Sequence, residues 1–374
     1  MKIDVRLKIF YLLAVSIGVF FISDLKWLAG VLLLQIAFWP LFGLEFVHLF
    51  RSLRGLVVLF LLIMLSFLLF PDNLPEDAYY KITVFGAQFR LDLNSIIDGT
   101  VMSLRIMSIV LASLLARSGG APGDFMRGLK TFHFPEFMAL TVDTSLSLID
   151  FTEKKPGQGK KGGAGRERIP FRQFLTRENN PLVGMVKQSL KSSQDYAERA
   201  GYQGDLKKLK DAGIISGLAA LTMSIKFLKI MPKIPVLPGH KGLVIIPLYI
   251  LGAELTNSPF GATYLGITTG IIAFLFGEGR FGIFEIFKYV TAGMAADALL
   301  PFLKKISRNP NVIHYTILGI VVAVARFSTI VIVALIIGAP AGFFALLAPI
   351  GVVHVIFGGM SGPVSFLLIK AIKK

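Results

Sequence analysis

The sequence predicts an all-α polytopic membrane protein with about ten spanning helices in two bundles, joined through cytoplasmic helices. Three observations carry that expectation. Hydrophobic residues make up 54% of the 374-residue chain and charged residues only 17%, against roughly 45–50% and 25% in soluble domains. The apolar residues fall in long runs of the length that a bilayer demands. The charge, by contrast, is concentrated: residues 152–210 hold 14 Lys/Arg against 6 Asp/Glu, a net +8 of the chain's formal +16. With no cysteine in the chain, disulfides and thiolate metal sites are excluded.

Four runs precede the basic segment, at 9–23, 27–46, 55–70 and 95–116. The start, Met1-Lys2-Ile3-Asp4-Val5-Arg6-Leu7-Lys8, is basic and leads into the first run. No small-residue cleavage site follows, so it reads as a retained first helix. Between the third and fourth runs, Ile82 to Leu91 alternates around Gly86 and predicts a small hairpin. Residues 122–151 are only moderately apolar and are expected to lie at the membrane surface or to dock against the bundle. Residues 152–180, with Pro156-Gly157-Gln158-Gly159-Lys160-Lys161-Gly162-Gly163, lack the GxxxxGK[ST] order of a phosphate loop and read as a flexible basic linker.

Six runs follow, at 214–231, 243–255, 260–276, 283–303, 313–337 and 343–369. Counting Lys and Arg in the short connections puts both termini and the basic segment on the cytoplasmic side. Lys2, Arg6, Lys8, Arg51, Arg54, Lys304, Lys305, Arg308, Lys370, Lys373 and Lys374 then share that side. Paired glycines before Pro363 are expected to bend or break the last helix.

Several stretches of residues 4–205 resemble the T component, the transmembrane coupling subunit, of energy-coupling factor (ECF) transporters. They are Asp4-Val5-Arg6-Leu7-Lys8-Ile9, the Leu104-Arg105 pair within 99–109, Gly128-Leu129-Lys130-Thr131-Phe132-His133-Phe134-Pro135, and a helix over 189–202. The resemblance implies coupling helices at 122–150 and 181–204, and a structural role for Arg105 in the bundle. It also implies short x-Arg-x elements that dock onto two ABC ATPase subunits, which would carry the ATP and Mg. Glu198-Arg199-Ala200 matches the second element; Arg166 and Arg168, after the glycine-rich insertion, are the candidates for the first. An Arg at the end of an amphipathic helix offers a rigid five-donor fork to partner carboxylates or carbonyls.

Residues 206–374 resemble the S component, the substrate-capturing membrane subunit of the same transporters. The resemblance rests on the six spans, the small-residue stretch Gly217-Leu218-Ala219-Ala220-Leu221, the loop 232–241 and Phe260-Gly261-Ala262-Thr263-Tyr264-Leu265-Gly266. It implies that the small residues face the T component and that the loop gates a binding pocket.

Ionisable residues inside spans cost about 2.5–3.5 kcal/mol at the bilayer centre and are functional candidates for that reason. Here they are Glu254, Glu285, Lys288, Asp297, Arg326 and His354; Arg326, Lys288, Glu285, Asp297 and His354, with His240 of the loop, form the candidate substrate site. Arg326, deep in an apolar run, leads as the contact for an anionic or polar group, or else pairs with Asp297 or Glu285. Glu285 and Lys288, at i and i+3, can also neutralise each other.

The expectation is a multi-pass cytoplasmic-membrane importer subunit for a small organic nutrient, a vitamin or precursor. It would bind no cofactor or metal of its own and no nucleic acid. Two alternatives have weaker support in the residues. The five scattered histidines do not pair at metal-ligand spacing, against a cobalt or nickel ECF permease. An intramembrane serine hydrolase would use Ser361 of Gly359-Met360-Ser361-Gly362, but its nearest histidine, His354, lies seven residues earlier, about 10 Å along a helix.

Overall fold

The computed structural model describes residues 4–40, 46, 57, 60–61, 64, 80–84, 87–91, 95–117, 135–154, 206–227, 239–276, 282–307, 309–336 and 341–372. The helices among them are α1 (Val5–Phe21), α2 (Leu25–Phe38), α3 (Ser95–Arg117), α4 (Glu136–Lys154), α5 (Leu206–Phe227), α6 (Gly242–Leu255), α7 (Gly261–Leu275), α8 (Glu285–Ile306), α9 (Val312–Ile336) and α10 (Ala341–Ile372). Strands β1 (Tyr80–Val84) and β2 (Ala87–Leu91) pair antiparallel, Tyr80 opposite Leu91 and Val84 opposite Ala87. This is the hairpin expected around Gly86.

Four of these helices contain segments long and apolar enough to cross a membrane: Ile96–Leu115, Glu285–Ile306, Val312–Ile336 and Leu347–Ile372. Along α9 and α10 large apolar side chains also face outward, Ile313 at 66% exposure and Val352 at 61% among them. Such faces suit hydrocarbon, where backbone groups are satisfied within each helix and only side chains meet the solvent. These helices mark a helical membrane protein.

The chain forms two compact units. The first takes in Met1–Asp124, Ala273–Glu285 and Ile330–Pro349. The Asp4 carboxylate accepts from Arg6 N at 2.9 Å and caps α1; Asp24 does the same for α2 through Lys26 N at 2.8 Å. Each cap satisfies a backbone donor that the first turn leaves bare. Helix α3 packs on both α1 and α2, through Val19, Leu28, Val101 and Ile109 in one cluster and Trp39, Leu111 and Leu115 in another. The Arg105 guanidinium donates to the carbonyl of Ile22, the residue capping the end of α1, at 2.8 Å from Nη2. Buried Gln35 donates to Ser108 O at 3.1 Å. Arg105 thus has a structural partner in the bundle.

The second unit takes in Phe125–Ile272, Ile286–Thr329 and Ile350–Lys374. Helix α4, from the moderately apolar stretch, is docked rather than laid on a surface: Ala139, Thr141, Val142 and Ser145 have no exposure. Its partner is α5. Ser145 Oγ donates to Ser216 O at 3.2 Å, Ser216 Oγ to Thr141 O at 3.1 Å, and Thr141 Oγ1 meets Thr268 Oγ1 of α7 at 3.0 Å. Small hydroxyl residues let helices approach closely and bond across the seam, as they do in membranes. At the foot of α5, Asp211 accepts from Asn257 N, Asn257 Nδ2 and Ser258 N at 2.8–3.0 Å, which fixes the turn between α6 and α7.

Helices α9 and α10 meet backbone to backbone. A Cβ on Gly319 would strike Gly358 O, one on Gly358 would sit 2.8 Å from Gly319 O, and one on Gly362 would strike Thr316 N and Cα. Here the expectation for the last helix is corrected: α10 runs unbroken from Ala341 to Ile372 through Gly359, Gly362 and Pro363. Gly358 and Gly362 serve close packing against α9, and that packing holds the helical path.

Candidate functional site

In the second unit α6, α7, α8, α9 and α10 each bring a side chain to one cluster: Tyr249, Thr269, Tyr289, Arg326 and His354. The Arg326 Cζ lies 5.9 Å from the centroid of the Tyr289 ring. Tyr249 and His354 are both within electrostatic reach of Arg326. Tyr249 and Tyr289 are fully buried and Arg326 is half-buried. A guanidinium over an aromatic face gains about 0.5–2 kcal/mol, more as water is removed.

Neighbouring contacts fix the register of these helices. Thr291 Oγ1 and Thr329 Oγ1 share a 2.6 Å hydrogen bond between α8 and α9. A Cβ on Gly266 of α7 would strike Tyr289 O and sit 3.0 Å from Val290 Cα; one on Gly270 would sit 3.1 Å from Ile286 Cα. Those glycines bring α7 against the backbone that carries Tyr289. On α10 the His354 ring stands 5.3 Å from the Phe327 ring, and its Nδ1 lies 2.9 Å from Ile350 O. Gly239, at φ 103°, presses on the other side of His354: a Cβ there would come within 2.9 Å of Nδ1. Both the left-handed backbone and the lack of room require glycine at this position.

Arg326 makes no ion pair and no hydrogen bond among the described residues, and of its nitrogens Nε alone is enclosed without a partner. Asp297, one of the two carboxylates expected to pair with it, is committed elsewhere. Its carboxylate accepts from Ala262 N at 3.0 Å, and from Thr263 N and Thr263 Oγ1 at 2.7 Å, capping α7. Glu254 accepts from Lys304 Nζ at 3.0 Å and Tyr315 Oη at 2.7 Å, tying α6 to α8 and α9.

Of the residues singled out from sequence, the structure therefore brings together Arg326 and His354. His240 follows Gly239 in the turn that presses on His354, and Lys288 Nζ stands 5.1 Å over the Tyr289 ring. Glu285 opens α8 and is buried. Glu198, Arg199, Ala200, Arg166, Arg168 and loop residues 232–238 lie outside the described residues. Sequence reasoning missed Tyr249, Thr269, Tyr289, Phe327 and Gly239. The available signal was a tyrosine at the middle of an otherwise aliphatic run, as in Ile245-Ile246-Pro247-Leu248-Tyr249-Ile250-Leu251.

Ser361 is fully buried and donates to Gly358 O at 2.6 Å on its own helix. That bond engages the proton a nucleophilic serine must give to a base. Among the described residues no group of three or more His, Cys, Asp or Glu side chains could hold a metal ion. No protein-family model matches this chain, and neither does any curated protein or solved structure. The functional reading thus rests on the residues themselves.

Proposed function

We propose that this chain is a membrane subunit of an ECF-type importer, with a T-component-like coupling region over 1–205 fused to an S-component-like substrate-binding region over 206–374. In this reading ten helices span the cytoplasmic membrane, four before the basic segment and six after it, with both termini in the cytoplasm. The second region binds a small organic nutrient around Arg326. Two separate ABC ATPase subunits, which hold the ATP and Mg, grip the helix 181–204 through Glu198, Arg199 and Ala200, with Arg166 or Arg168 as the other contact. ATP-driven closure then reorients the substrate-binding region.

The observation that carries this reading is the seam between α4 and α5. Helix α4 belongs to the T-like stretch and α5 opens the S-like stretch, and the buried face of α5 includes Leu218, Ala219, Ala220 and Leu221. The α4 contact at Ser216 lies directly before the small-residue stretch, and this neighbourhood supports the reading. Fusion of the two regions holds them at high effective concentration without a large interface.

The test is capture of ATP-binding subunits by the solubilised full chain. Wild type is expected to retain them, and Arg199→Glu to weaken the association about tenfold or more, since a central interfacial Arg is worth roughly 2 kcal/mol or above. Equal retention by both proteins would remove Arg199 from the interface.

A further inference from the structure

We propose that one end of the second unit binds anionic phospholipid headgroups, of the phosphatidylglycerol class, through a collar of exposed lysines. The surface needs only the membrane character of the fold and is independent of solute import.

Side-chain contacts gather the helix ends. Asp211, at the foot of α5, holds the turn between α6 and α7. Glu254, near the end of α6, bonds Lys304 of α8 and Tyr315 of α9. The Tyr315 ring stands 6.0 Å from that of Phe366, one turn before Lys370 on α10. Phe137 of α4 meets Tyr264 of α7, with ring centroids 5.4 Å apart. The starts of α4, α5, α7 and α9 and the ends of α6, α8 and α10 therefore share one end of the unit. Exposed there are Lys207, Lys208, Lys210, Lys304, Lys305 and Lys370, against one exposed carboxylate among the described residues, Glu136, which has an interaction of its own. The other carboxylates are turned to partners: Asp211 and Asp297 accept from backbone N–H groups, and Glu254 takes Lys304 and Tyr315. Lys208, Lys210, Lys305 and Lys370 make no ion pair among the described residues.

Three features select lipid as the occupant. Lys207 and Lys208 lie in the first turn of α5, which holds no acidic residue, and Lys210 directly follows. A helix N-terminus is the positive end of its dipole and disfavours cations, so an anion from outside the chain relieves that end. Next, exposed apolar side chains border the lysines on the spanning helices: Phe302 and Ile306 on α8, Ile313 on α9 and Leu367 on α10. A lysine at such a boundary lays its stem along acyl chains and lifts its ammonium to the phosphates. Finally, all six cations are lysine. Interfaces between proteins are enriched in Arg and depleted in Lys, whereas a flexible, hydrated ammonium suits a fluid layer of headgroups.

The test reconstitutes the full chain in vesicles of equal phosphatidylglycerol and phosphatidylcholine, extracts it in an uncharged maltoside detergent, and counts the lipids still bound by native mass spectrometry. Each lysine near a headgroup layer favours anionic lipid by about fivefold, so wild type is expected to hold phosphatidylglycerol over phosphatidylcholine by about tenfold or more. The variant carrying Lys208→Gln, Lys210→Gln, Lys305→Gln and Lys370→Gln should hold the two lipids equally, and raised salt should weaken the wild-type preference by screening. These side chains are exposed, so the variant should unfold in the same detergent at the wild-type temperature. The double variants Lys208→Gln/Lys210→Gln and Lys305→Gln/Lys370→Gln, each with a partial loss, carry the test if the four changes together prevent folding. Equal retention of both lipids by wild type, or an undiminished preference in the variants, overturns the proposal. Lysine-dependent capture of a polyglutamate peptide, without preference between the lipids, overturns it in favour of an acidic protein surface.

Discussion

Replacing Asp297 with Ala is expected to destabilise the chain by about 1–3 kcal/mol, the range for leaving donors inside the fold without their acceptor. The carboxylate takes two backbone N–H groups and one hydroxyl at the start of α7, all within 3.0 Å. Nothing in the apolar surroundings replaces it, and each buried donor left bare costs about 1–3 kcal/mol. Asp297→Asn should fall between the two, since one amide oxygen still accepts while the amide N–H₂ faces donors. Unfolding in a mixed-detergent titration measures both variants. A ligand role for Asp297 would give the opposite pattern, with stability kept within about 1 kcal/mol of wild type, the ordinary range of a substitution away from such a network.

Gly266→Leu is expected to destabilise as strongly, and to disturb the Arg326 cluster as well. Even the Cβ of an alanine would meet the Tyr289 carbonyl, its carbon at 2.9 Å and Val290 Cα at 3.0 Å, all of them backbone. Backbone cannot rotate aside, so α7 and α8 must separate; overpacking of this kind costs about 1–3 kcal/mol for small additions and more for a full side chain. Moving Tyr289 removes the ring under Arg326, so the packing of that cluster should loosen together with stability. Gly18→Ala and Gly30→Ala provide the internal control. No atom lies within 4 Å of a Cβ at either site, so these changes should be neutral or add up to about 1 kcal/mol through helix propensity. If Gly266→Ala behaved like them, close approach of α7 to α8 would not be what positions Tyr289.

These two residues also show where sequence reading succeeds and where it stops. Apolar run length located the helices closely: the run at 95–116 is α3 (Ser95–Arg117), and that at 313–337 is α9 (Val312–Ile336). The hydrocarbon thickness imposes that length on each segment by itself, without reference to its neighbours. Arg326 was visible for the same local reason, as a charge in an apolar run. Asp297 was equally visible, but its partner was not, because the bare N–H groups it caps belong to another helix. Tyr249, Thr269 and Tyr289 carry no signal as residue types in a span; they come together only when the rotation and register of three helices are fixed. That register depends on approaches such as Gly266 to Tyr289, which leave only a glycine in the sequence. Helix α4 shows a related limit. Its Thr141, Thr144 and Ser145 lower its apolar character, yet these side chains are buried, and those of Thr141 and Ser145 bond across the seams to α7 and α5. Gly359, Gly362 and Pro363 read as breakers in isolation, whereas α10, packed tightly on α9 at Gly358 and Gly362, is continuous.

Native mass spectrometry of the full chain, extracted from its host membrane in a mild detergent, tests the central claim most directly. The account predicts a complex of the 40.9 kDa chain with two nucleotide-binding subunits, and its loss in Arg199→Glu. The chain alone, or bound to a partner with no nucleotide-binding domain in every detergent that preserves its fold, would contradict it.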